Sequence, residues 1–82
     1  MLENKLIHEF RKNPLEKVIV ELTNYRGTDF VNIWVYYNAS EDGEDWRPSR
    51  KGISLSIEHI DELKKGIVKA YEEWHKLTSK AN

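Results

Sequence analysis

Nine residues of an 82-residue chain combine flat rings with fixed positive charge: Tyr25, Arg26, Trp34, Tyr36, Tyr37, Trp46, Arg47, Arg50 and Lys51. A single-stranded nucleic acid wants this mixture, because its phosphates need cations along a track and its unstacked bases lie on aromatic faces, for about 1 to 3 kcal/mol per base. Duplex recognition would instead favour a basic helix for the major groove. The same residues have a plainer use. Rings on strands pack against cross-strand neighbours, and three cations around Pro48 can form an ordinary solvated turn. On residue types alone, single-strand binding and a protein-interaction module both stand.

Charge narrows the choice without closing it. The chain carries a formal net charge of −1, whereas polyanion binders are usually basic. Between Lys17 and Leu55 five cations face six acids, but four of those acids sit together in "EDGED". If that loop points away, the remaining segment is locally positive, and a local field can bind what the net charge would repel.

Catalytic chemistry has little footing. His8, His59 and His75 lie far apart, and no serine or acid pairing has a catalytic frame. Glu72 and His75 form a Glu-x-x-His pair, but carboxylate-bridged metal sites need a second such pair and further glutamates from neighbouring helices. Single glycines in "NYRGT" and "DGED" lack the spacing of a phosphate-cradling loop. With no cysteine there is neither a disulfide nor a thiolate metal site. We therefore expect a protein that is not an enzyme and carries no cofactor or metal. No apolar run reaches the length of a membrane span, which suggests a soluble, intracellular protein.

The elements that position the rings follow from periodicity. At Met1–Asn13 the apolar residues Leu2, Leu6 and Phe10 recur every four positions, which suits a short helix or a frayed arm stopped by "NP". "KVIVEL" reads as a strand and "TNYRGT" as a turn. "DFVNIWVYYN", Asp29 to Asn38, is the strongest strand. It has Val31, Ile33 and Val35 on a core face and Phe30, Asn32, Trp34 and Tyr36 on the other, where rings mixed with an amide suggest a contact surface. After the polar turn at Gly43, "WRPSRK" predicts a short irregular strand, since Pro48 belongs on an edge or at a bulge, and "GISLS" a fourth strand. From Ser56, placed to cap a helix, Ile57, Ile60, Leu63, Ile67, Tyr71, Trp74 and Leu77 make one apolar stripe. Glu58, Asp61 and Glu62 near its start, and Lys76 and Lys80 near its end, suit the helix dipole. Such a helix spans about 30 Å at 1.5 Å per residue, and a four-stranded sheet is only about 15 to 20 Å wide. The distal stripe then needs another surface: a second copy of the chain, the N-terminal arm, or a kink near Gly66.

"RPSRKGISLS" followed by an amphipathic helix resembles the C-terminal domain of the transcriptional coactivator family called positive cofactor four, whose members carry a Pro-Gly-Arg-Lys-Gly-Ile-Ser-Leu type of segment there. "YRG" at Tyr25 to Gly27 is similar to the family's aromatic-basic-glycine turn, "VNIWVYY" to its second strand, and "EDGED" to its acidic hairpin. The resemblance covers roughly Lys17 to Leu77. It implies an α+β fold, a curved four-stranded antiparallel sheet followed by one long C-terminal helix (β-β-β-β-α), assembled as a homodimer through Ile67, Tyr71, Trp74 and Leu77. The domain would occupy residues 17–78, with an arm or short helix over 1–16 and a tail over 79–82.

The implied ligand is single-stranded DNA, bound with low sequence specificity. Tyr25 takes the place of a base-stacking phenylalanine and Tyr37 that of a stacking tryptophan. Arg26, Arg47, Arg50 and Lys51 match basic positions, Gly27 belongs to the turn, and Gly52 matches the glycine that lets backbone approach the strand. Thr23, Thr28 and Trp34 stand where family cations are expected, so backbone attraction should be weaker than in the most basic members. Trp34 either adds a stacking ring or packs at a sheet edge. No Ser-rich and Lys-rich regulatory tail precedes the domain, which favours a stand-alone bacterial or viral version. Expected partners are single-stranded DNA, a second copy, and transcription or replication machinery, in the cytoplasm and nucleoid of a prokaryote or the nucleus of a eukaryote. The alternatives are a structural or protein-interaction dimer that has lost nucleic-acid binding, and an RNA binder.

Overall fold

The computed structural model describes residues 4–79. Four strands, β1 (Lys5–Asn13), β2 (Glu16–Tyr25), β3 (Thr28–Asn38) and β4 (Trp46–Ser56), form one antiparallel sheet in the order β1-β2-β3-β4. A 3₁₀ turn over Ile57–His59 leads into one helix, α1 (Ile60–Ser79). The expected fold class holds: four antiparallel strands and a single C-terminal helix.

Two of the four strands are not the expected ones. Lys5–Asn13 is a strand, not a helix or arm, and it extends the sheet beyond the expected boundary at residue 17. A spacing of four falls on one face in both periods, so Leu6 and Phe10 could not decide between them. The turn decided. Pro14 presets φ for its first central position, and the Asn13 side chain closes it by accepting a hydrogen bond from the Leu15 N–H at 2.9 Å. That returns β1 along β2, with Phe10 opposite Val18 and Arg11 opposite Lys17. The expected third and fourth strands are one strand, β4, carrying a bulge. Trp34 pairs with Gly52 and Tyr36 with Pro48, so Ser49, Arg50 and Lys51 stand opposite Val35. Pro48 sits on this edge strand, where a missing N–H costs little. The expected Leu2 and Lys80 positions and most of the tail lie outside the described residues.

Register assigns the faces. Val18–Val35, Val20–Ile33, Leu22–Val31, Ile33–Ile53 and Val31–Leu55 are cross-strand partners on one face. Ile60, Leu63, Ile67 and Val68 of α1 lie over it and share an apolar groove with Val20, Val31 and Ile33. The opposite, open face holds Lys17, Ile19, Glu21, Thr23, Tyr25, Phe30, Asn32, Trp34 and Tyr36, with no helix over it. Asn32 is buried there: its amide donates to Thr23 Oγ1 at 2.9 Å and to Glu21 Oε1 at 3.3 Å, and accepts from Ser54 Oγ at 2.5 Å. The amide expected to contact a ligand is used up within the sheet.

Little is buried. Among the described residues only Ile19 and Val31 are buried apolar side chains, and none in α1 is buried. The accessible surface is 6811 Å² for a 9.7 kDa chain, against about 5100 Å² for a compact monomer of that mass. The radius of gyration is 15.9 Å, against about 12 Å expected for a compact domain of this length. On α1, Ile67 at the rim of the groove and Tyr71, Trp74 and Leu77 beyond it are each more than half exposed. The helix does not start as expected, because Ser56 caps no backbone N–H. Its hydroxyl instead lies 3.2 Å from Glu58 Oε1, to which it donates.

Candidate nucleic-acid interface

The sheet presents its rings and cations at two ends. At one end β2 turns into β3 through Arg26 and Gly27, whose φ values of 52° and 85° make a two-residue type I′ hairpin. Asn24 holds the turn, accepting from the Gly27 N–H at 3.2 Å and donating to Asp29 at 2.8 Å. Nothing crowds Gly27, so its role is the left-handed backbone alone. Arg26 is the only non-glycine with positive φ among the described residues, a conformation that costs an L-residue about 1 to 2 kcal/mol. Its guanidinium lies 5.2 Å from the ring centre of the exposed Tyr25.

At the other end stand Tyr37, Arg47 and Lys51. Tyr37 pairs with Glu16 on one side and Arg47 on the other. Lys51 Nζ lies 3.7 Å from Glu16 Oε2. The Asn13 side chain donates to Glu16 at 2.9 Å, and this bond, with the nearby lysines, holds the Glu16 carboxyl below the usual glutamate range. In the bulge, Ser49 Oγ donates to the Val35 carbonyl at 2.6 Å and accepts from the Lys51 N–H at 3.1 Å. Between these two anchored residues Arg50 is exposed and has no ion-pair partner among the described residues.

Within the sheet, Gly52 is required by its neighbours. With φ 145°, any Cβ would come within 2.3 Å of the Ile33 carbonyl and 2.4 Å of the Trp34 ring. The space a side chain would take is filled by the cross-strand indole, an aromatic covering a strand glycine. The Trp34 ring is half-buried on the open face, over Gly52.

The acidic loop does not point away. Asn38 organises it, accepting from the N–H groups of Ser40 and Asp45 at 3.0 Å each and donating to the Gly43 carbonyl at 3.0 Å. So held, Asp45 Oδ2 meets Arg47 Nη2 at 2.8 Å and Nε at 3.2 Å, and raises the affinity of that guanidinium for its proton. Glu44 meets Arg11 at 2.6 Å.

The expected site residues are therefore split. Tyr25, Arg26, Gly27 and Trp34 belong to the hairpin end and the open face, while Tyr37, Arg47, Arg50 and Lys51 belong to the far end. Nine steps of β3 separate Thr28 from Tyr37, about 30 Å at 3.3 Å per residue. By alternation Tyr25 lies on the open face and Tyr37 on the helix-bearing one. One protomer does not bring the two stacking candidates together. Sequence reading also missed a cluster: on the open face Lys17 Nζ and Arg11 Cζ lie 4.8 Å and 5.2 Å from the Trp46 ring centre. Reading Arg11 as part of an arm hid it, although the alternation in "LIHEFRK" was the available signal.

The residues 12–66, which contain both ends, match the family model described as Transcriptional Coactivator p15 (PC4). Among solved structures, the chain is similar to BPSL1147 of Burkholderia pseudomallei, a PC4 homologue. Its tetragonal crystal form is 26% identical with a TM-score of 0.72 over 84% of this chain and 98% of that one. Its orthorhombic form is 27% identical with a TM-score of 0.73 over 85% and 92%. No curated protein matches the chain.

Proposed function

The chain belongs to the transcriptional coactivator p15 (PC4) family, the positive cofactor four of the sequence resemblance, and from that premise we propose that it is a homodimeric single-stranded DNA-binding protein of low sequence specificity. The observation that carries this reading is the hairpin tip. A cation held in a costly left-handed backbone beside an exposed ring is strain located where a ligand would be met. Tyr25 would stack a base, Arg26 and Arg50 would take phosphates, and Tyr37 with Arg47 and Lys51 would contribute from the far end.

The dimer supplies what one protomer lacks. Packing the overhanging stripe of Ile67, Tyr71, Trp74 and Leu77 against its copy would remove much of the surplus apolar surface and place two sheets in one assembly. The protein would act in transcription regulation or in DNA replication and repair, where single strands are exposed in a nucleoid or a nucleus. It is read as a binder, not an enzyme.

A second reading has its own support. Arg11, Arg47 and Lys51 are each paired to a carboxylate, as they would be in a module that kept the scaffold for protein contacts. Fluorescence anisotropy with labelled oligo-dT, oligo-rU and duplex DNA at two salt concentrations separates the readings. Preferential binding of oligo-dT supports single-stranded DNA, and preference for oligo-rU points to RNA. Silence toward all three at low salt leaves the protein-interaction module. Sedimentation should give twice the chain mass, and Trp74→Glu should shift it toward the monomer.

A further inference from the structure

Trp46, Lys17 and Arg11 come from three different strands, β4, β2 and β1, and converge on the face that α1 leaves bare. None of the three belongs to the binding set that the family resemblance implies. Lys17 is largely withdrawn from water, its side chain 17% exposed, with Glu9 at 3.4 Å. Arg11 is more than half exposed and paired to the equally exposed Glu44 at 2.6 Å. For a guanidinium, carboxylate and phosphate oxygens are interchangeable partners. An exposed ion pair is weakly held, so an arriving phosphate can displace Glu44 at small cost.

We propose that Trp46, Lys17 and Arg11 form an additional nucleotide subsite on the open sheet face, in which Glu44 occupies the place of a phosphate until the strand arrives. The proposal rests on the single-strand reading above. When Arg11 leaves Glu44 for a phosphate, the indole is opened to a base, while Lys17, held by Glu9, stays against the ring and adds positive charge beneath it. The subsite lies at the β1–β2 turn end of the sheet, so it extends the bound strand instead of duplicating the hairpin contact.

The test uses the full chain and oligo-dT of increasing length, followed by anisotropy. Arg11→Gln and Glu44→Gln break the same ion pair. If the pair only braces the loop, both variants move affinity in the same direction. If it marks the subsite, Arg11→Gln weakens binding and flattens the salt slope by about 0.7, the share of one phosphate contact. Glu44→Gln then tightens it severalfold. Glu41→Gln, in the same loop and without an ion pair among the described residues, controls for the general field. Trp46→Ala should weaken binding to the longer oligomers by about fivefold or more, the low end for one lost stack, and circular dichroism checks its fold.

Shifts of the same sign for Arg11→Gln and Glu44→Gln overturn the subsite, as does equal tightening by Glu41→Gln and Glu44→Gln. If the parent binds and loses affinity on Tyr25→Ala while Arg11→Gln and a folded Trp46→Ala bind as the parent does, only the subsite falls. A parent that ignores oligo-dT at low salt removes both readings.

Discussion

The two ends of the sheet are built from the same residue types and treat their charge in opposite ways. At the hairpin, Arg26 has no ion-pair partner among the described residues and leans on Tyr25, in a backbone conformation that only an unusually well-determined turn sustains. At the far end, Arg47 and Lys51 face carboxylates from the acidic loop and the β1–β2 turn, and Arg11 does the same across the open face. One end stores strain and keeps its cation available. The other holds Arg47 and Lys51 against carboxylates and leaves only Arg50 exposed between them. An incoming polyanion would meet Arg26 and Arg50 without displacing anything and would have to compete for Arg47 and Lys51, so the hairpin should carry the larger share of affinity.

That contrast can be broken in order of effect. Gly52→Ala should dismantle the far end, because the new Cβ collides with backbone and with Trp34 at a strained φ. We expect a loss of about 3 kcal/mol or more, as such backbone clashes give, read from urea unfolding with the hairpin contacts untouched. Next, Tyr25→Ala should lower oligo-dT affinity by about 1 to 3 kcal/mol, one stacking increment. Tyr37→Ala should cost less, and equal losses would erase the difference between the ends. Arg26→Gly should raise stability by about 1 kcal/mol through relief of the left-handed backbone while weakening binding. A gain in stability with unchanged affinity would show that the strain plays no part in binding.

The smallest effect is at Glu16. Its carboxyl titrates below the unfolded value, so its contribution is present at neutral pH and lost only as pH falls through the lowered pKa. Glu16→Gln should therefore flatten the acid limb of the stability curve slightly and leave the neutral region nearly unchanged.

How far the sequence could be read depends on whether a feature is local. The helix from the Ile57 region, the central strands and the "NYRGT" turn are written in periodicity and turn chemistry within a few residues, and they stand where expected. β1 was not legible, because its apolar spacing satisfies two periods and the arbiter was a hydrogen bond accepted by the Asn13 side chain from the Leu15 N–H. Pro48 and Gly52 made β4 look like two strands, when both are accommodated by one bulge. For the site, the residue types were legible and their arrangement was not. Which face Tyr37 takes depends on register with β2, and where Glu44 and Asp45 point depends on Asn38, whose side chain gathers a loop seven residues long. Asn32 shows the same limit: its position was right, and its partners on β2 and β4 could not be seen from β3 alone.

An open sheet has two rims, and on this one neither is a good template for more sheet. β1 carries Lys5, Arg11 and Lys12 and breaks register twice, between Leu6 and His8 and between Arg11 and Asn13. β4 carries Pro48, which offers no N–H, and the bulge that bends the strand away from a flat neighbour. Charge, irregular register and proline are the devices that keep edge strands from recruiting one another into fibrils. The exposed apolar stripe of α1 lies on neither rim, so contact between copies through it would not extend the sheet and would favour finite assembly over open-ended aggregation.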